Sequence, residues 1–200
     1  MSERKQRRAM ISRCTGETDL VLTINIDGTG QASVATGIGF FDHMLTLFAY
    51  HSGCDLELEV KSADLIVDGH HLVEDTGIVM GQALAEALGD KAGIYRYGSM
   101  YLPMDETLVR VVLDLSGRPF LVFKADFKAP MCGDFDTQLT EEFFRAVAFN
   151  SRMTLHTEVL TEGNTHHEVE ALFKAFGRAL RQAVGRDEAI TGIPSTKGLL

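Results

Sequence analysis

Positive charge is what this chain of 200 residues has little of: 19 Lys and Arg stand against 28 Asp and Glu, a formal net charge of −9. Broad binding to nucleic acid or an anionic membrane depends on a dominant basic field, so neither is expected as a partner. An anionic small ligand would need a local basic cluster or a bound cation. No apolar run approaches the length that spans a bilayer. The basic Arg4, Lys5, Arg7 and Arg8 are followed by Ala9-Met10-Ile11-Ser12-Arg13, too short and too polar for the core of a secretion signal. Cysteine is scarce as well. Cys14, Cys54 and Cys132 form no Cys-x-x-Cys pair and leave one thiol over under any disulfide scheme, so free thiols in a reducing cytoplasm are expected. A Gly-rich phosphate loop, a Gly-x-Ser-x-Gly elbow and a zinc-protease helix are all missing, and no Pro- or Ser-rich linker divides the chain.

What is there is a repeat. His70-His71 followed by Glu74 recurs 96 residues on as His166-His167 followed by Glu170, and at that offset Gly81 falls on Gly177, Ala83 on Ala179, Leu84 on Leu180, Ala87 on Ala183 and Gly89 on Gly185. The helix around the motif is therefore repeated with it. Residues 19–27 alternate apolar and polar side chains before Gly28-Thr29-Gly30, which predicts a strand entering a hairpin; 107–114 is a second β-rich run closed by a turn at Gly117. Phe40-Phe41 and Phe143-Phe144 each open an apolar stretch with helical spacing, and strand candidates follow at 54–60 and 153–160. Strands, helix, strand and long helix thus occur twice. The expected fold is α/β (α+β): internally duplicated β-sheet plus helix halves, about 10–93 and 94–186, in one unit. Thr191 to Gly198 reads as a C-terminal loop.

Residues four apart share a helix face, while sequence neighbours point about 100° apart. His70 with Glu74, and His166 with Glu170, can each serve one metal, and the adjacent His71 and His167 must aim elsewhere. Two such elements could cross-ligate two ions, with His43 and His156 as further ligands; imidazole with carboxylate suits Mn, Fe, Zn or Ni. One His-His pair alone is more often a surface or core feature than a ligand set. A duplicated pair that keeps its Glu while the surroundings diverge has little packing reason to survive. Asp134-Phe-Asp136-Thr137 resembles the nucleophile motif of aspartate-phosphorylating phosphatases, but it follows Pro130-Met-Cys-Gly and reads instead as a turn leading into a helix. His51 reads as structural or exposed.

Five ordered motifs carry a family resemblance. They are Gly39-Phe-Phe-Asp-His-Met-Leu45, Asp68-Gly-His-His-Leu-Val-Glu-Asp75, Asp114-Leu-Ser-Gly-Arg-Pro119, Asn164-Thr-His-His-Glu-Val-Glu170 with Phe173-Lys-Ala-Phe176, and Pro194-Ser-Thr-Lys-Gly198. Together the chain resembles the imidazoleglycerol-phosphate dehydratases. The resemblance implies a fold of the ribosomal protein S5 second-domain type and the step of histidine biosynthesis that turns imidazole glycerol phosphate into imidazole acetol phosphate. It also implies two Mn(II) ions per active site and a particle of twenty-four copies with its sites at subunit contacts. By the family pattern, His43, His71, His166 and Glu170 form one metal set, and His70, Glu74, His156 and His167 the other. Glu17 becomes the acid/base carboxylate at the substrate, with His43 also near it; Arg96, Arg118, Lys174, Ser195 and Lys197 surround the phosphate, the last two on a substrate-binding tail. Forked guanidinium groups would explain how so acidic a chain holds a phosphate ester.

The implied chemistry accounts for the metals. A proton must leave a glycerol carbon that adjoins no carbonyl, so the carbanion has no ordinary sink, and the expected route runs through a metal-bound imidazolate. Two other readings accommodate the ligands: a two-metal phosphoester hydrolase, and a structural metal staple that holds an oligomer together. The first would favour bridging carboxylates over histidines, and the second gives no role to Glu17 or the basic cluster.

Overall fold

Alternating burial of Leu20, Leu22 and Ile24 gives Thr18–Asn25 one face in the core, the pattern of a strand packed on one side. The computed structural model describes residues 6–200, so Arg4 and Lys5 of the basic N-terminal run lie outside the described residues. The first half runs β1 (Arg8–Cys14), β2 (Thr18–Asn25), β3 (Ala32–Ala35), α1 (Gly39–Ser52), β4 (Asp55–Ala63) and α2 (His70–Leu88). The second repeats that order as β5 (Tyr97–Met104), β6 (Thr107–Asp114), β7 (Phe120–Lys124), α3 (Leu139–Ser151), β10 (Thr154–Thr161) and α4 (Thr165–Val184), with a small hairpin, β8 (Met131–Cys132) and β9 (Phe135–Asp136), set before α3.

The two four-stranded sheets have the same order, β1-β2-β4-β3 and β5-β6-β10-β7. This corrects the hairpin expected at Gly28-Thr29-Gly30. β2 pairs antiparallel with β1 and β4, whereas β3 pairs only with β4, in parallel, so β4 lies between the strands that the turn joins. A parallel pair needs a crossover, and α1 supplies it; α3 does the same between β7 and β10. Asp55 fixes the turn itself. Its Oδ1 accepts the backbone N–H of Thr29 at 2.8 Å and of Gly30 and Gln31 at 3.1 Å, which nests the loop on the start of β4.

Helices pack across the halves. α2 covers β1 and β2 and lies against α3; α4 covers β5 and β6 and lies against α1. The repeated glycines stand at those crossings. A Cβ on Gly81 would sit 2.8 Å from the Val147 carbonyl oxygen in α3, and one on Gly177 would sit 2.9 Å from the Phe48 carbonyl oxygen in α1. Only glycine lets the backbones approach so closely. Rings then fill the space between: Phe41 meets Phe143 edge-on at 5.5 Å, Phe143 stacks on Phe173 at 5.1 Å and Phe48 on Phe176 at 5.4 Å. One buried cluster thus draws on both halves. Among the described residues no helix is long and apolar enough to cross a membrane.

Candidate metal and substrate site

The packing of α4 on α1 brings three predicted ligands together. His43 leaves the first turns of α1, and His166 and Glu170 lie four apart on α4. His43 Nε2 is 3.2 Å and His166 Nε2 3.1 Å from the same Glu170 Oε2. Both imidazoles are exposed while the carboxylate is buried. The Lys174 ammonium, one turn further along α4, binds the other carboxylate oxygen, Oε1. Burial pushes the Glu170 carboxyl up, but the bond and charge of Lys174, with His166 and His43, outweigh it and hold the group below the ordinary carboxylate value. Glu170 is therefore an anion, and three donor atoms converge from two sequence repeats. Two imidazoles with one carboxylate fit a divalent transition metal.

The other expected ligands lie apart in the single chain. On α2, His70 Nε2 is 4.0 Å from Glu74 Oε2, the same spacing used on α4. His71 turns away, as helix geometry requires, and bonds through Nδ1 to Asp64 Oδ2 at 2.9 Å. An ionised carboxylate only accepts, so Nδ1 donates to it and Nε2 is the nitrogen free to meet another partner; the Asp64 bond also raises the imidazole above its ordinary pKa. Glu17, in the turn between β1 and β2, comes within 3.5 Å of that Nε2. His167 points away from His166 and meets Glu106, with Nδ1 3.2 Å from Oε2, and Asp105 joins them in a second cluster of three donor groups. His156 is exposed on β10, opposite Val112 and Val122, and its imidazole has no hydrogen bond among the described residues. His51 falls near the end of α1, outside both clusters.

A separate basic cavity of about 960 Å³ opens beside the second sheet, lined by Arg96, Arg118, Arg152, Ser195 and Lys197 among others. Arg96 is already committed. Its Nε and Nη2 donate to Asp114 at 2.7 and 3.0 Å, and its Nη1 to the Pro194 carbonyl at 2.9 Å, so it anchors the C-terminal loop. Asp114 holds that guanidinium above its ordinary value. Arg118 is far more exposed and only 4.0 Å from Asp114, within a loose ion pair. Ser195 Oγ accepts the backbone N–H of Lys197 at 3.2 Å, which shapes the loop. Lys174 does not line this cavity; its partner is Glu170.

Sequence reasoning missed Asp64, Asp105, Glu106 and Arg152, which sit on loops or turns without periodic spacing. Asp134 does lie in a turn that leads towards a helix, as expected, but its cap partner was not foreseen. Asp134 lies in the turn of the β8–β9 hairpin and accepts the N–H of Gly39 at 2.7 Å and of Phe40 at 3.2 Å, capping α1 from the opposite half. Ile38, the local cap position, offers no side-chain bond, so the cap of the helix that carries His43 comes from 95 residues away.

Fold and site together define a class: a duplicated α/β protein with a histidine–carboxylate donor set that could hold a metal and a separate cavity lined by basic side chains. Residues 36–180 match the imidazoleglycerol-phosphate dehydratase family. The imidazoleglycerol-phosphate dehydratase of Acetivibrio thermocellus is 58% identical over 194 residues, covering 97% of this chain and 99% of that protein. Crystal structures of the Staphylococcus aureus and Pyrococcus furiosus enzymes superpose with TM-scores of 0.82 each, at 48% and 38% identity; they cover 90% and 95% of this chain and 99% and 100% of theirs. The chain belongs to the imidazoleglycerol-phosphate dehydratase family, hydro-lyases of histidine biosynthesis.

Proposed function

We propose that this chain dehydrates imidazole glycerol phosphate to imidazole acetol phosphate at a two-metal site completed between copies of itself. The observation that carries the metal reading is the convergence of His43 and His166 on one Glu170 oxygen. His71 is the fourth member of that set, and His70, Glu74, His156 and His167 form the second. Since His71, His156 and His167 stand away from the trio within one chain, neighbouring copies are needed to close both sets. A particle of twenty-four copies, as the family likeness implies, provides such contacts. Manganese is our choice of ion for both sets, and cellular supply selects among metals that accept these ligands. Three unpaired thiols suit a cytoplasmic setting.

The reaction removes hydroxide from the carbon beside the ring and a proton from its neighbour, giving an enol that takes up a proton to become the ketone; net loss is one water. Bound divalent ions would supply Lewis acidity at the imidazole of the substrate. Glu17 moves the proton: its carboxylate is exposed and rests near His71 Nε2 with no shorter bond to tie it down. Asp64 keeps His71 in one tautomer, and Lys174 keeps Glu170 ionised and in place. Arg118, Ser195 and Lys197 hold the phosphate, with Arg96 fixing the loop that bears the latter two. Lys174 reaches the phosphate only if a neighbouring copy brings it there.

The test is a dehydratase assay on imidazole glycerol phosphate after chelation and Mn(II) addition. Activity should vanish on chelation and return with Mn(II), and Glu17→Gln should bind Mn(II) normally while losing turnover. Full activity without any divalent ion would sink the metal reading; near-normal turnover by Glu17→Gln would remove that residue from the reaction.

A further inference from the structure

The two halves end their equivalent helices differently. α1 stops at Gly53, φ 76°, and α3 stops at Arg152, φ 57°, both in the left-handed region and both leading straight into the strand that inserts in its sheet. Glycine reaches that conformation freely, whereas a residue with a Cβ is strained there. Helix ends select glycine for this reason, so an arginine at the second end needs a compensating use.

Its side chain shows one. Arg152 lines the basic cavity together with Arg118 and Lys197. Nε donates to the Gly117 carbonyl at 3.2 Å, fixing the guanidinium to the turn from which Arg118 projects. The bond engages one edge of the fork only. Among the described residues its two Nη groups have no hydrogen-bond partner and no carboxylate within ion-pair distance, unlike Arg96, whose fork is filled by Asp114 and Pro194. A phosphate monoester carries up to two negative charges and three acceptor oxygens, more than a single cation can satisfy.

We infer that Arg152 is a further phosphate-binding residue of the substrate cavity, presenting its free Nη edge to the ester oxygens opposite Arg118. This rests on the cavity being the phosphate site. Substitution of Arg152 by glycine separates a binding role from a structural one, because it removes the fork and relieves the backbone at the same time.

The measurements are KM and kcat for imidazole glycerol phosphate, competitive inhibition by inorganic phosphate, and thermal unfolding, for wild type, Arg152→Gly, Arg152→Lys and Arg118→Ala. Arg152→Gly should melt no lower than wild type, yet raise KM and the phosphate inhibition constant each by about tenfold, the scale of one lost charge-assisted contact, with kcat little changed. Arg152→Lys should recover part of the loss, since it keeps the charge but not the fork. If Arg118→Ala weakens phosphate and Arg152→Gly does not, the inference about Arg152 is wrong and the cavity reading survives. If neither does, the cavity is not the phosphate site and both fall.

Discussion

Replacing each repeated glycine by alanine tests how the duplication builds the site. In a helix with room for a methyl group, Gly→Ala stabilises by about 1 kcal/mol. At Gly81 the new Cβ would meet Asn150 Cβ at 2.7 Å, Val147 O at 2.8 Å and Ser151 N at 2.9 Å; at Gly177 it would meet Phe48 O at 2.9 Å and Ser52 N at 3.0 Å. Most of these are backbone atoms that no rotamer change can move, so the helices must part, at an overpacking cost of about 1–3 kcal/mol. The net expectation is a loss of up to about 2 kcal/mol at Gly81 and somewhat less at Gly177, where the contacts are longer. For a chain of this length that lowers the melting temperature by up to roughly 8 °C. Melting should be followed on chelated protein at fixed concentration, because metal and assembly shift it by mass action. The two variants should then diverge in Mn(II) titrations followed by electron paramagnetic resonance. Gly177→Ala separates α4 from α1 and so moves Glu170 away from His43, weakening the ion several-fold; Gly81→Ala separates α2 from α3, leaves that trio alone and acts on the ions only through the α2 ligands His70, His71 and Glu74. If both variants melt higher than wild type, the helices are not in tight contact there. Unchanged Mn(II) affinity in Gly177→Ala would break the link from the α1–α4 crossing to the site.

Asp134→Ala should remove the distant cap of α1 and cost about 1 kcal/mol near neutral pH, read as a lower melting temperature. The N–H groups of Gly39 and Phe40 hold the Asp134 carboxyl below its ordinary value, so its stabilisation is full above the usual carboxylate range and fades as pH falls through the depressed value; a wild-type-to-variant gap that widens in acid would contradict this. Asp64→Asn should cut Mn(II) affinity by about tenfold by freeing the His71 tautomer, whereas unchanged affinity would mean that Asp64 does not orient the ligand. Thiol labelling at pH 8 should modify exposed Cys14 first and spare Cys54, which is buried and whose pKa desolvation pushes up to about 11; rapid loss of all three thiols in folded protein would contradict the packing.

Legibility in the sequence followed distance along the chain. The pairing of His166 with Glu170 is a one-turn relation, and helix geometry predicted both it and the divergence of His167. Strand and helix positions were readable because burial alternates or recurs within a few residues; the order of strands was not, since the edge that β4 joins is decided by Asp55 and the α1 crossover rather than by pattern. The same limit hid the partner of Asp134, which lies in the turn expected before α3 but whose carboxylate caps α1 in space. Yet the repeat held more information than ligand counting extracted. Once the halves are aligned, each shared residue marks a shared constraint, as Gly81 and Gly177 mark the two helix crossings. Each difference at a constrained position then calls for a local cause. Gly53 against Arg152 is such a difference, at a helix end whose backbone favours glycine in both halves, and the cause we infer lies in the cavity lined by the second half and the C-terminal loop. Duplicated folds can therefore be read twice: agreement between the halves locates the scaffold, and disagreement where the backbone is demanding locates what one half does alone.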